Sequence, residues 1–265
     1  MQGSLSAALA DAHDINYADF STSYARHPGS HLHRDGRIDR AIIDLPALPY
    51  NGVFRSRVAR REIAAIAEET RALAAARRVP VAWRVTLTTP PATTAGLEAA
   101  GWALRERTPV MAVGLDGVSR PTPPPGVRVE EVGAGALADW SRVVAVGFGC
   151  PEEYVDGPAG YDRDVGLPGQ TPLRRFLAWH GDDPAAASAL LPGPPGSRLG
   201  GIFCVATLEP WRGQGLGALL TGVAMHAARE GGATTAVLQA SEMGQPVYRR
   251  LGFATVGHIR EHQPG

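Results

Sequence analysis

The chain contains no lysine; its 26 Lys+Arg positions are all arginine. These balance 26 Asp+Glu positions to a net charge of zero, which removes any general electrostatic pull toward nucleic acid or an anionic membrane. Cysteine is almost missing as well. Cys150 and Cys204 are the two, and they fit neither a CxxC nor a Cys/His zinc spacing. Cys204 lies in an apolar strand pattern and reads as a small core residue. No apolar run approaches 18 residues, so no membrane span is expected. The opening MQGSLSAALADAHD lacks the basic and apolar segments of a secretory leader. We expect a reduced, cytoplasmic protein, monomer or homodimer, partnered by neither nucleic acid nor membrane. Two common phosphate loops are also absent: there is no GxxxxGK[ST], and no GxGxxG with an acid some twenty residues later.

What remains is a core-forming composition, 44% hydrophobic and 20% charged over 265 residues, a length that suggests two domains. The informative stretch is Val205–Phe253. Its centre, Arg212-Gly213-Gln214-Gly215-Leu216-Gly217, leads into Leu219, Leu220, Val223 and Ala227 at helical spacing, so the glycines fall where a loop becomes a helix. The apolar run Ile202–Leu208 before it reads as a strand. Glycines at such a junction let backbone N–H groups converge on a phosphate at the helix N-terminus. A plain tight turn is the competing reading, since turns collect glycine for steric reasons. Downstream, a second strand at Thr235–Gln239 is followed by Ser241 and by Tyr248-Arg249-Arg250-Leu251-Gly252-Phe253.

Together, R-x-x-G-x-G and Y-x-x-x-G-F resemble the GNAT superfamily of acyl-CoA-dependent N-acyltransferases over roughly residues 127–261. The resemblance implies an α/β fold, a mixed, mostly antiparallel splayed sheet flanked by helices. It implies acetyl-CoA as cosubstrate, with no metal. The pyrophosphate would lie on the amides of Arg212, Gly213, Gln214, Gly215, Leu216, Gly217 and Ala218. Val205, Ala206 and Thr207 would pair with the pantetheine amides, and Ser241 would stand near that arm. Tyr248 would be the general acid for the departing thiolate, its phenol (reference pKa ~10) being protonated at neutral pH. Packing over the core is the other reading of Tyr248. The acceptor would be a primary amine, of a small molecule. An acyl-CoA-binding module without turnover, O-acylation and thioester hydrolysis remain as alternatives. No base is assigned; Glu152, Glu153, Asp156 and His180 are candidates. The acids between Cys150 and Thr171 (Glu152, Glu153, Asp156, Asp162, Asp164) would suit a cationic amine, in a region that shows no clear periodicity.

The first half repeats the order of the second: strand, long helix at Arg60–Arg78, strand at Pro80–Leu87, short helix, then Leu97-Glu98-Ala99-Ala100-Gly101-Trp102 where the second half has Tyr248–Phe253. Its long helix opens on Phe54–Arg61 without a glycine, and Leu97 replaces the tyrosine. We therefore expect tandem GNAT-like domains. These are a degenerate one at 1–118, a Pro-rich connector at 119–126 and the cofactor-binding one at 127–265. Residues 1–37 carry little pattern. Their HPGSHLH tract raises a metal site at His27, His31 and His33, but no acid stands at ligand spacing and a turn-rich loop is the stronger reading.

Overall fold

A computed structural model describes residues 5–151 and 154–265. The chain divides into two compact units, one of Ser4–Val110 with Gly257–Gly265 and one built on Met111–Val256. In the first run α1 (Ala7–Ser23), β1 (His31–Arg34), β2 (Ile38–Ile42), β3 (Gly52–Ser56), α2 (Arg60–Arg77), β4 (Ala82–Val85), α3 (Ala92–Ala99) and the start of β5 (Trp102–Gly114). The end of β11 (Ala254–Pro264) completes this unit, pairing antiparallel with β4 through Arg260↔Val85 and His262↔Trp83. Its strand order is β1-β2-β3-β4-β11-β5. The β3 and β4 strands are parallel, as a crossover through α2 requires. Ile63, Ala67 and Ala74 of α2 pack with Trp83, Leu97 and Trp102 in one core.

Helix α1 falls in the stretch that carried little pattern. The reason is its buried face: His13, Asp14, Asn16, Ser21 and Thr22 are buried on it, so hydrophobic periodicity is absent. Asp14 explains the docking. Its carboxylate accepts from Thr86 Oγ1, Thr88 Oγ1 and the Thr88 amide, each at 2.7 Å. Burial raises this carboxyl's pKa, but hydrogen bonds from His13, Thr88 and Thr86 outweigh that and hold it below the usual range.

His262 is the opposite case. It is fully buried on β11, and among the described residues neither ring nitrogen makes a hydrogen bond of normal geometry. Burial lowers its pKa from the ordinary 6.5, so the unfolded chain binds the proton first. Stability that is full above the unfolded pKa is therefore lost as pH falls below it. We expect His262→Leu to be neutral or to stabilise by up to about 1–3 kcal/mol, because a buried unpaired donor is removed. It should also flatten the pH dependence of stability below about 6.5. Urea denaturation at pH 7.5 and 5.5 checks this; marked destabilisation at pH 7.5 would contradict it.

The second unit contains β6 (Val127–Glu131), α4 (Leu137–Gly147), α5 (Pro158–Val165), β7 (Arg174–His180), β8 (Asp183–Pro192), β9 (Leu199–Thr207), α6 (Leu216–Glu230), β10 (Thr235–Gln239) and α7 (Gln245–Arg250). Its order is β5-β10-β9-β8-β7-β6. The β6 to β9 strands pair antiparallel, and β9 with β10 parallel around α6. Leu219, Leu220, Val223, Ala224 and Ala227 of α6 share a core with Ala178, Ala186, Leu190 and Ile202 of the strands. The small residues let helix and sheet approach closely: a Cβ on Gly200 would come 2.8 Å from Ala228 Cβ. The Pro-rich stretch is laid against α6, where a Cβ on Gly222 would lie 3.1 Å from Pro121 Cγ and Arg229 donates to the Val118 carbonyl at 2.8 Å.

Helix α5 is the element the irregular reading of Cys150–Thr171 missed. Buried Arg175 holds it, donating to the carbonyls of Gly166 (2.7 Å) and Asp162 (3.2 Å). No helix among the described residues is long and apolar enough to cross a membrane.

Candidate functional site

The carboxyl ends of β9 and β10 meet one edge of the second unit's sheet, and the glycine loop leaves from there. Gly213 and Gly215 have φ of +78° and +80°, in the left-handed region that costs a side-chain-bearing residue ~1–2 kcal/mol. Gly215 is the N-cap of α6. Arg212 Nε donates back to the Thr207 carbonyl (3.2 Å) and Gln214 Nε2 to that of Pro210 (3.4 Å). These side chains brace the loop, and the Arg212 amide, expected among the pyrophosphate donors, is instead engaged by the Glu209 carbonyl at 3.2 Å. Among the described residues the amides of Gly213 to Ala218 have no protein acceptor, the first helical bond being Leu219 N–H to the Gly215 carbonyl. A Cβ on Gly213 or Gly215 would meet nothing within 4 Å. Unpaired donors at the positive end of a 15-residue helix are the kind of group that favours an anion.

Just before the loop, β9 carries one residue too many. Ala187 faces Ala206 but Ala189 faces Phe203, so three steps on β9 match two on β8, a β-bulge. Cys204 sits in it with φ +53° and is only partly buried. The expectation of a plain core cysteine is corrected by that extra residue. The ladder between β9 and β10 covers Leu199–Gly201 against Thr235–Val237, at the start of β9, and Val205, Ala206 and Thr207 lie beyond it.

Tyr248, on α7, is buried with its ring edge-on to Phe253 at 5.9 Å. Burial pushes its pKa up to about 12, and its hydroxyl has no protein hydrogen bond among the described residues. A Cβ on Gly244 would stand 2.8 Å from the Tyr248 ring and 3.3 Å from Ser241 Oγ, so a bare glycine lets both reach this corner. Val205, Leu216 and Tyr248 pack in one hydrophobic cluster with Ala240. These residues belong to the core of the second unit.

The candidate bases are not gathered in the same way. Glu152 and Glu153 lie outside the described residues. Asp156 is exposed and pairs with Arg142 at 3.4 Å. His180 stacks on Trp211 at 4.2 Å, beside the loop. Asp162, counted among the acceptor-region acids, is buried instead, taking a 2.7 Å hydrogen bond from Ser141 and pairing with Arg175 at 3.5 Å. In the first unit His31 lies 3.3 Å from Arg40 and His33 3.4 Å from Asp35; no group of three or more His, Cys, Asp or Glu among the described residues is placed to hold a metal ion.

The corresponding helix of the first unit differs in kind. At the start of α2 the Glu62 carboxylate accepts from the Ala59 amide at 2.9 Å and pairs with Arg37 at 2.5 Å. A side-chain anion already occupies that helix terminus.

Comparison with known proteins agrees with this geometry. Residues 147–253 match the family model described as Acetyltransferase (GNAT) family. No curated protein matches the sequence. Among solved structures, a GCN5-related N-acetyltransferase from Kribbella flavida is 22% identical, with 94% of this chain and 96% of that one covered at a TM-score of 0.67. A tandem GNAT protein from the clavulanic acid biosynthesis pathway is 16% identical, covering 96% and 93% at 0.62. A GCN5-related N-acetyltransferase from Sphaerobacter thermophilus is 20% identical, covering 76% and 68% at 0.52. Residues 147–253 therefore match a GNAT acetyltransferase domain, and the fold along the chain is shared with GNAT structures, a tandem GNAT protein among them.

Proposed function

We propose that the protein transfers the acetyl group of acetyl-CoA, the cosubstrate of its family, to the primary amine of a small molecule. The observation that carries this reading is the run Gly213–Ala218, whose six amides have no protein acceptor among the described residues and stand at a helix N-terminus suited to a pyrophosphate. When bound, acetyl-CoA supplies a thioester activated toward amines. The loop amides hold its pyrophosphate, with Arg212 bracing the loop. Val205, Ala206 and Thr207 offer backbone to the pantetheine arm, and Ser241 borders it. The amine nitrogen bonds to the carbonyl carbon, the C–S bond breaks, and the Tyr248 hydroxyl donates to the departing sulfur. The ammonium proton leaves to solvent through a base we leave unassigned.

In this proposal the unit built on Met111–Val256, with the Pro-rich 119–126 laid against its α6, is the cofactor-binding domain, and Ser4–Val110 with Gly257–Gly265 is a GNAT-like domain that has lost its cofactor loop. Support comes from Glu62, which closes the α2 terminus. The test is release of free thiol when the protein, acetyl-CoA and a panel of primary amines are mixed. Amine-dependent release with an equimolar N-acetyl product is expected. Release without amine would mean thioester hydrolysis, and tight acyl-CoA binding without release a binding module.

A further inference from the structure

Large apolar side chains exposed to solvent are few among the described residues, and their placement is uneven. Leu32 and Leu104 lie in the first unit; Val146, Phe148, Tyr154 and Met243 lie in the second. Val146, Phe148 and Met243 border the site, and Tyr154 follows a few residues after Phe148. Phe148 is 65% exposed and Met243 69%. Val146 and Phe148 flank Gly147, whose Cβ, were there one, would come 2.7 Å from Ala206 Cβ. The end of α4 is therefore pressed against the strand that carries Val205–Thr207, and its exposed side chains stand beside it. Tyr154 follows through the Pro151 carbonyl, which accepts from its amide at 2.9 Å. Met243 lies on the Ser241–Gly244 turn after β10, next to Tyr248. The strands β9 and β10 are parallel, so both lips are at the same end of this unit's sheet.

A rim of this kind costs solubility and is retained where an apolar ligand covers it. Of the described acids in this region, Asp162 is buried against Ser141 and Arg175, Asp156 pairs at the surface with Arg142, and Asp164 is exposed. The geometry points to an acceptor that is a primary amine bearing an aryl or branched alkyl group, seated between Phe148 and Tyr154 on one side and Met243 on the other. This inference rests on the acetyl-transfer reading above and narrows its substrate class. The amine end reaches the thioester beside Tyr248, while the apolar end displaces water from the rim. No new chemical step is needed; one N–C bond forms and one C–S bond breaks as before.

The experiment compares 2-phenylethylamine, spermidine and glucosamine as acceptors in the full chain, with and without the paired change Phe148→Ser/Tyr154→Ser. We expect the highest kcat/KM with 2-phenylethylamine. The double variant should lower that value about 10–100-fold, mostly through KM, the loss of burying one to two aromatic faces. Calorimetric affinity for acetyl-CoA should be unchanged, which also shows that the variant is folded. Preference for spermidine or glucosamine, or a parental KM in the double variant, overturns the apolar acceptor and leaves acetyl transfer standing. Absence of thiol release with every amine, together with no binding of acetyl-CoA, overturns both.

Discussion

Replacing Tyr248 by Phe should lower kcat about 10²-fold, at the lower end of the ~10²–10⁴ range for losing a general acid, while leaving KM for acetyl-CoA near parental. The substitution removes one oxygen. It keeps the ring against Phe253, and among the described residues the hydroxyl has no protein partner to orphan, so stability should barely change. The size of the effect follows from the pKa. Burial holds the phenol at about 12, well above an ordinary thiol at ~8.5. Complete transfer to the sulfur is therefore uphill, and the hydroxyl acts mainly by hydrogen bonding to charge that develops as the bond breaks. An interaction made in the transition state alone lowers kcat and kcat/KM together. The sign of the pH dependence is fixed too. The protonated phenol is the active form, so activity is lost only as pH rises through its folded pKa near 12, and Tyr248 contributes no alkaline limb below about pH 10. A folded Tyr248→Phe variant with parental kcat across that range would remove the residue from the mechanism and leave it as packing.

How much of this was legible in the sequence depends on how local the signal is. Thr235–Gln239 is a strand with the bounds its apolar run suggests, and Leu216 opens a helix within the glycine run. Glycine spacing and helical periodicity are properties of neighbouring residues. Three other features are set by distant partners. Helix α1 hid because its buried face is polar and is satisfied by Thr86 and Thr88, some seventy residues on in the chain. The bulge at Cys204 exists only against the register of β8. The cofactor-binding domain was expected to run to residue 265, yet the end of β11 pairs with β4 of the first unit, and no pattern inside Ala254–Pro264 encodes that partner. Glu62 is an intermediate case. The lack of glycine before α2 was readable, but the carboxylate that closes the helix terminus required Arg37 and Ala59 to be brought beside it. For the site, motif spacing gave Gly213–Gly217 and Tyr248, whereas Phe148, Tyr154 and Met243 stood out only once their exposure was seen.

The central claim is that one acyl-CoA binds per chain, on the amides of Gly213–Ala218, and the most direct test is calorimetric titration of acetyl-CoA into the parent and a Gly215→Glu variant. Position 215 has open space around a Cβ, so the fold should survive at the ~1–2 kcal/mol of left-handed strain. Gly215→Ala carries the same strain without the charge and serves as the control. The new carboxylate would stand at the N-cap of α6, where it competes for the same amides and repels the pyrophosphate. Like charges placed together at an interface cost several kcal/mol, which corresponds to an affinity loss of at least ~10²-fold. We predict one equivalent bound by the parent, a modest weakening for Gly215→Ala, and no binding by Gly215→Glu at matched concentrations with its circular dichroism preserved. Two equivalents of similar affinity in the parent, or a folded Gly215→Glu chain that binds acetyl-CoA as tightly as the parent, would contradict the account.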